Sequence, residues 1–220
     1  MNPGLPALAA LLCASAGWAG WPELPLPPGS RAESIGEQIR LNGVPVRMQR
    51  VLSDDKPKAV IQFYREALGA RRAEEKLPDG LLFAQGRGDY FVTVRVKVLA
   101  PSFTETLVSV SDARGAEHAA NRPLGFPIPA ETQVLSDMES TDAGKVSRQL
   151  VLMNNHSIDA NVVSITKALQ ERGYEPQSGD TQNLESGRVL MFGGANREAR
   201  LVVVRKDGVS NVVLTTVQMP

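Results

Sequence analysis

The sequence predicts an α+β protein made of two similar ββαβββ units, each an antiparallel sheet with one helix packed on one face. Strand-like and helix-like segments follow one another in the same order in both halves of the chain. Each predicted helix ends at a glycine. Matched landmarks lie 104 to 107 residues apart, namely Gly69 and Gly173, Gly80 and Gly187, and Val108 and Val213. This spacing predicts a diverged internal duplication, and two unrelated segments of similar order are the alternative.

Proline clusters set the predicted boundaries. Six of the 15 prolines fall in the first 28 residues, and three more lie between residues 113 and 131. Proline fixes φ and lacks a donor for any strand pairing, so the first stretch is predicted to be an extended leader. The second stretch is predicted to be a linker between the two halves. The predicted organisation is a signal peptide at 1–19, a Pro-rich extended leader at 20–35, a first unit at 36–112, a linker at 113–131 and a second unit at 132–220.

The first unit opens with a hairpin, because Asn42-Gly43 tolerates the two positive φ angles of a type I′ turn. Ser53 offers an N-cap, and apolar residues then recur at helical spacing, which predicts a helix over about 54–68. The charged segment 71–76 predicts a loop. Strands are predicted at Gln38–Leu41, Val44–Leu52, Leu81–Gln85, Asp89–Leu99 and Thr104–Ser111.

The second unit repeats this order. An apolar stripe that includes Val162, Ile165 and Leu169 predicts a helix from about Asp159 to Arg172. Strands are predicted at Gln133–Met138, Lys145–Met153, Arg188–Phe192, Glu198–Lys206 and Val209–Val217, with glycine-containing turns between the last three.

Side-chain alternation predicts one polar sheet face in the first unit. Strand side chains point alternately to opposite faces, and only one face of an antiparallel sheet needs burial. We therefore expect Arg47, Arg95 and Lys97 to share a mildly basic solvent face that is able to meet carboxylates or phosphates. An ordinary solvated sheet face explains the same pattern.

The second unit has apolar residues on both faces of its strands. Val202 and Val204 alternate with Leu201 and Val203, so the second face needs cover. The first unit, a second copy of the chain or a partner protein are the three candidates for that cover. Under the last two, Val202 and Val204 belong to an interface.

The N-terminal residues predict export. The apolar run from Leu5 to about Trp18 is too short to cross a bilayer, and Ala-x-Ala-type cleavage sites follow after Ala16 and after Ala19. No Lys or Arg precedes the run, and an uncleaved anchor is the alternative. Cys13 lies within the run, so the mature chain has no cysteine and no disulfide; lipidation there is disfavoured by the preceding leucine. Together these features predict a periplasmic protein with no membrane span after cleavage.

Composition and motifs argue against several function classes. Lys and Arg number 24 and Asp and Glu also number 24, which disfavours nucleic acid as a partner. The mature chain has no cysteine nucleophile and no Gly-x-Ser-x-Gly elbow, and His118 and His156 are poorly placed for a triad. His156-x-x-Asp159 is the one hint of a metal site, and Asp159 is more simply part of the helix start. We therefore expect no catalytic, metal or cofactor site.

These observations predict an exported, non-enzymatic binding or assembly module that acts through protein–protein contacts in the cell envelope. Its partner would be an envelope protein or a second copy of the chain. The alternative is a periplasmic carrier of a small ligand, such as a lipid or a cell-wall fragment, with a pocket between the halves or between sheet and helix. A hydrolase that uses carboxylates alone is the third hypothesis.

Overall fold

The computed structural model describes residues 20–119, 122–177 and 182–220. The predicted signal peptide, with Cys13 and both cleavage sites, lies outside these ranges. Within them the chain is α+β and mainly β, with one large antiparallel sheet and two long helices. No helix in the described ranges is long and apolar enough to cross a membrane.

The first half contains the predicted hairpin, and Asn42 and Gly43 take φ angles of 51° and 79° at its turn. The predicted helix start was wrong. The helix begins at Pro57, since proline suits the first helical position, and the Ser53 hydroxyl instead accepts a hydrogen bond from the Asp55 amide at 3.2 Å. The elements are β1 (Arg31–Leu41), β2 (Val44–Ser53), α1 (Pro57–Leu68), β3 (Ala73–Leu77), β4 (Gly80–Arg87), β5 (Tyr90–Ala100) and β6 (Phe103–Asp112).

Strand β3 corrects the predicted charged loop. Its residues pair with β4 at the edge of the sheet, and Glu74 there meets the guanidinium of Arg65 on α1 at 2.7 Å. Charged side chains are common on edge strands, where they discourage pairing with other chains. Hydrogen bonds from Arg65 and Arg72 hold the pKa of the Glu74 carboxyl at about 2.

The second half follows a 3₁₀ turn (Ala113–Gly115) and a short helix, α2 (Ala116–Ala119). Its long helix starts at a Ser157 N-cap, whose hydroxyl accepts from the Ala160 amide at 3.1 Å. The elements are β7 (Gln133–Asp142), β8 (Lys145–Asn154), α3 (Ile158–Gln170), β9 (Glu175–Pro176), β10 (Gln182–Leu184), β11 (Gly187–Gly194), β12 (Arg197–Lys206) and β13 (Val209–Gln218). The two short strands β9 and β10 were not predicted.

All strands in the described part of the chain join one 13-stranded sheet. Its order is β10-β11-β12-β13-β8-β7-β1-β2-β6-β5-β4-β3, with β9 also paired to β11. The halves meet edge to edge, because β1 pairs antiparallel with β7. Face-to-face packing of the two sheets, one of the covers considered for Val202 and Val204, is therefore not how the halves join.

The two long helices pack on the same side of the sheet, here called the helix side; the opposite side is the helix-free side. One core cluster lies under α1 and a second under α3. The Pro-rich leader and the Pro-rich linker complete these cores, since Trp21 and Leu24 pack against the first and Leu124, Phe126 and Ile128 against the second. The leader and the linker are therefore part of the packed structure. The predicted end of the leader was wrong, because residues 31–35 belong to β1.

Replacing Trp21 with alanine is expected to destabilise the protein. The half-buried Trp21 ring lies 5.2 Å from the Tyr90 ring and 4.8 Å from the Arg47 guanidinium. Losing these contacts and the apolar area should lower the free energy of unfolding by about 1–3 kcal/mol in chemical denaturation. The matched control is Leu26→Ala, at an exposed leader position. Equal losses in both variants would contradict a packing role for the ring.

Candidate functional site

The predicted basic face does not form as expected. Arg47 pairs with Val110, which pairs with Val92, and both valines are buried on the helix side. Arg95 and Lys97 lie on the helix-free side. The prediction that Arg47 shares their face was wrong, because the Trp21 ring covers Arg47 on the helix side and an arginine fits there by stacking.

Acidic neighbours lie beside Arg95, Arg50 and Lys97 on the helix-free side. Arg95 meets the Asp79 carboxylate at 3.1 Å, and Arg50 meets the Glu105 carboxylate at 2.7 Å. Lys97 lies directly opposite Glu105 in the ladder between β5 and β6. The predicted basic patch consequently offers little net charge for an anionic partner.

Val202 and Val204 also lie on the helix-free side, where both are half-buried. Val202 pairs with Val213, which pairs with Val151, so an apolar row crosses three strands. Phe91, on the same side in the first half, is 47% exposed. The helix-free side thus presents apolar side chains to its surroundings in both halves.

A polar cleft of about 500 Å³ lies on the helix side, where the two halves meet. Directly opposed residues in a sheet share a face, so cross-strand rows form the floor of this cleft. The first row runs through Arg40, Glu139, Arg148 and Thr216, and the second through Gln38, Thr141, Val146, Gln218 and Arg197. Four strands of the second half and one of the first supply these side chains. We call this site the arginine cleft.

The walls of the arginine cleft come from two other segments. Arg172 and Tyr174 follow the C-terminal end of α3, and Gly125 and Phe126 belong to the linker. The fully buried Leu169 anchors that end of α3 in the core of the second half. Helix, linker and sheet therefore fix the shape of the cleft together.

Arg148 is the structural centre of the floor. Its Nε and Nη2 atoms donate to the two carboxylate oxygens of Asp137, each at 2.8 Å, and Nη2 also donates to the Leu124 carbonyl at 2.5 Å. Hydrogen bonding to Asp137 raises the pKa of the Arg148 guanidinium. The pair ties the floor to the linker that forms one wall.

Three further arginines give the cleft its positive charge. In the described part of the chain, no carboxylate lies within 4.0 Å of Arg40, Arg172 or Arg197. The cleft's own carboxylate, Glu139, is bound by Arg122 at 2.9 Å and lies 3.7 Å from Arg148. The positive charge of these three arginines is therefore not balanced within the site.

Aromatic rings hold two of these arginines in place. The Arg172 guanidinium lies 5.0 Å from the centre of the Phe126 ring, and that of Arg197 lies 5.6 Å from the Tyr174 ring. Arg172 also donates to the Ala168 and Gly125 carbonyls, each at 3.1 Å. A guanidinium stacked in this way keeps N–H donors at its edge, and such donors bind oxyanions in a bidentate manner.

Sequence reasoning missed this cleft because its arginines are spread from residue 40 to residue 197. One signal was present. Arg148 lies on the same face of β8 as the buried Leu150 and Leu152. Arg197 lies on the same face of β12 as the buried Ala199 and Leu201. An arginine in phase with core residues on two strands indicates a charged site on the helix side.

The predicted histidines lie elsewhere. The Nε2 atom of His156 lies 2.7 Å from the Ala130 carbonyl, and His118 is on α2. The described residues contain no group of three His, Cys, Asp or Glu side chains able to hold a metal ion.

No family model, no curated protein and no solved structure matches the chain.

Proposed function

We propose that this chain is an exported, non-enzymatic binding protein that captures an anionic ligand in the arginine cleft. The observation that carries the proposal is the convergence of Arg40, Arg172 and Arg197 without a carboxylate partner among the described residues. A ligand with carboxylate or phosphate groups supplies the missing negative charge. The volume of about 500 Å³ is that of a small-molecule site.

Two features support binding rather than catalysis. Among the described residues that line the cleft there is no histidine, cysteine or lysine to act as a base or nucleophile. Glu139, the lining carboxylate, is held by Arg122 and by nearby Arg148. Fixed arginine donors give affinity and orientation, and neither needs a proton to move.

The N-terminal sequence supports a periplasmic location. The apolar run that ends near Trp18 and the small residues at Ala16 and Ala19 are typical of an export signal. Cleavage would leave a chain without cysteine, which suits a bacterial envelope protein that uses no disulfides. In this proposal the cleft meets solutes or envelope components outside the cytoplasm.

An internal duplication accounts for the architecture. The order β1-β2-β6-β5-β4-β3 in one half corresponds to β7-β8-β13-β12-β11-β10 in the other. Each half also begins with an apolar-Pro-apolar-Pro segment, Leu24–Pro27 or Phe126–Pro129, that packs on the helix side. We propose that one ancestral unit gave rise to both halves.

An assembly role is the second candidate function. The observation in its favour is the apolar helix-free side, with Phe91 at 47% exposure and half-buried Val202 and Val204. An envelope protein or a second copy of the chain would cover this side. Light scattering of the purified protein and crosslinking in the native envelope test this role independently of the cleft.

Calorimetric titration with citrate tests the proposed function. We expect the protein, purified after export, to bind one citrate per chain and to bind it more weakly as ionic strength rises, because the attraction is between charges. Glycerol, which has the hydroxyl but no carboxylate, is the control and should not bind. Absence of binding for citrate and also for pyrophosphate at low salt would contradict the proposal.

A further inference from the structure

The first half has a position equivalent to the floor of the arginine cleft. Ser53 pairs with Thr104 at the end of β2, and Asn154 pairs with Ser210 at the end of β8. Arg47 lies six residues before Ser53 in β2, and Arg148 lies six residues before Asn154 in β8, so these two arginines occupy equivalent positions. The neighbouring positions also correspond, because Tyr90 and Arg197 are the first residues of β5 and β12.

In the first half, the chain's own Trp21 fills this position. Its ring lies 4.8 Å from the Arg47 guanidinium and 5.2 Å from the Tyr90 ring, tilted by 48° to the latter. The ring therefore packs against an arginine on the sheet floor and against the first residue of the neighbouring strand. Trp21 belongs to the Pro-rich leader rather than to the sheet, so an added segment provides the ring.

Among the described residues of the second half, no ring stacks on the floor arginine, Arg148. The apolar-Pro-apolar-Pro segments align Leu24 with Phe126, and this alignment puts Pro123 where the leader has Trp21. Arg148 and Arg197 both line the open cleft. The space that the Trp21 ring occupies in one half is therefore part of the cleft in the other.

The arginines of the cleft differ in what they can offer a ligand. Arg148 uses its N–H edge for Asp137 and the Leu124 carbonyl, which leaves the face of the guanidinium for a ring. Arg172 and Arg197 are already stacked on Phe126 and Tyr174. Arg172 donates to the Ala168 and Gly125 carbonyls and Arg197 to the Ala195 and Arg172 carbonyls, which leaves each guanidinium three of its five N–H donors. Arg148 is thus suited to a ring, and Arg172 and Arg197 keep N–H donors for an oxyanion.

We infer that the ligand of the arginine cleft is a small aromatic acid. Its ring lies against Arg148 and Arg197 as the Trp21 ring lies against Arg47 and Tyr90, and its carboxylate meets Arg172 and Arg197. The inference rests on the proposed function, to which it adds the class of ligand. The second half has Arg197 at the position where the first half has Tyr90, and this arginine supplies the positive charge that the acid group needs.

Three matched probes test this inference by calorimetric titration of the exported protein. N-acetyl-tryptophan has a ring and a carboxylate, N-acetyl-leucine has the carboxylate alone, and N-acetyl-tryptophanamide has the ring alone. We expect N-acetyl-tryptophan to bind about tenfold more tightly than either of the others, as a desolvated ring–guanidinium contact and a charged hydrogen bond would each provide.

The other outcomes separate the two proposals. Equal affinity for N-acetyl-leucine would overturn the aromatic inference and leave the proposed anion site intact. Equal affinity for the amide would overturn the role of the carboxylate in this inference. If neither acid binds while citrate or pyrophosphate does, the aromatic inference fails alone. If citrate and pyrophosphate also fail to bind, the proposed function fails.

A pair of variants locates the ring. Thr216 lies on the cleft floor opposite Arg148, and its neighbour Thr215 points to the helix-free side. Thr216→Phe should fill the place of the ligand ring and weaken N-acetyl-tryptophan binding at least about tenfold. Thr215→Phe should leave the affinity unchanged. Unchanged affinity in a folded Thr216→Phe protein would overturn the placement, with thermal unfolding of both variants as the check on folding.

Discussion

Arg148→Met is expected to lower the free energy of unfolding by about 3 kcal/mol, the lower part of the range for a buried ion pair that loses one partner. The Asp137 side chain is only 14% exposed, and both of its oxygens accept hydrogen bonds from Arg148. Methionine keeps the length of the side chain but leaves the carboxylate without these donors. The Leu124 carbonyl also loses its donor. Urea denaturation measures the change.

A double variant distinguishes the ion pair from simple packing loss. Arg148→Met with Asp137→Leu removes both charges, so it should be more stable than Arg148→Met alone. The surface control is Arg122→Met, since Arg122 is 45% exposed in its pair with Glu139 and should contribute less than about 1 kcal/mol. A double variant that is no more stable than Arg148→Met would mean that the unpaired carboxylate is not the cause.

Arg172→Gln and Arg197→Gln are each expected to weaken citrate binding about tenfold, and the double variant about a hundredfold. Each substitution removes a charged hydrogen bond that contributes about 1.5 kcal/mol or more to binding. Both side chains line the arginine cleft, and neither has a carboxylate partner among the described residues. Calorimetric titration of folded variants measures the losses.

The matched control is Arg200→Gln on the same strand. Arg200 is exposed, and it pairs with Thr215 on the helix-free side of β12. Its loss changes the net charge by the same amount as Arg197→Gln but leaves the cleft intact. Equal weakening in Arg200→Gln and Arg197→Gln would show that citrate responds to the total charge of the protein and would contradict a site in the cleft.

Local sequence signals predicted most of the elements. The hairpin at Asn42-Gly43 and the turns after the two long helices, at Gly69 and Gly173, depend on backbone angles that few other residues adopt, and the φ angles at these glycines are positive. The strands β3, β9 and β10 were not predicted. Edge strands are often short and charged, so they lack the alternating apolar residues from which a strand is predicted.

Which face a strand residue occupies depends on pairing partners, and sequence alternation does not give these. Val46 and Met48 are apolar, yet they lie on the helix-free side, so the apolar phase of β2 predicted the wrong face for Arg47. The arginine cleft was missed for a related reason. Pairing of β1 with β7 brings Arg40 beside Glu139, and no local pattern encodes a contact between residues so far apart.

The most direct test of an anion site in the cleft is an NMR titration with citrate that follows the arginine side-chain Nε–Hε signals. The signals of Arg172 and Arg197 should shift together and saturate at one citrate per chain, and that of Arg95 on the helix-free side should stay in place. Shifts at Arg95 without shifts at Arg172 and Arg197 would contradict the proposed site, as would the absence of any shift.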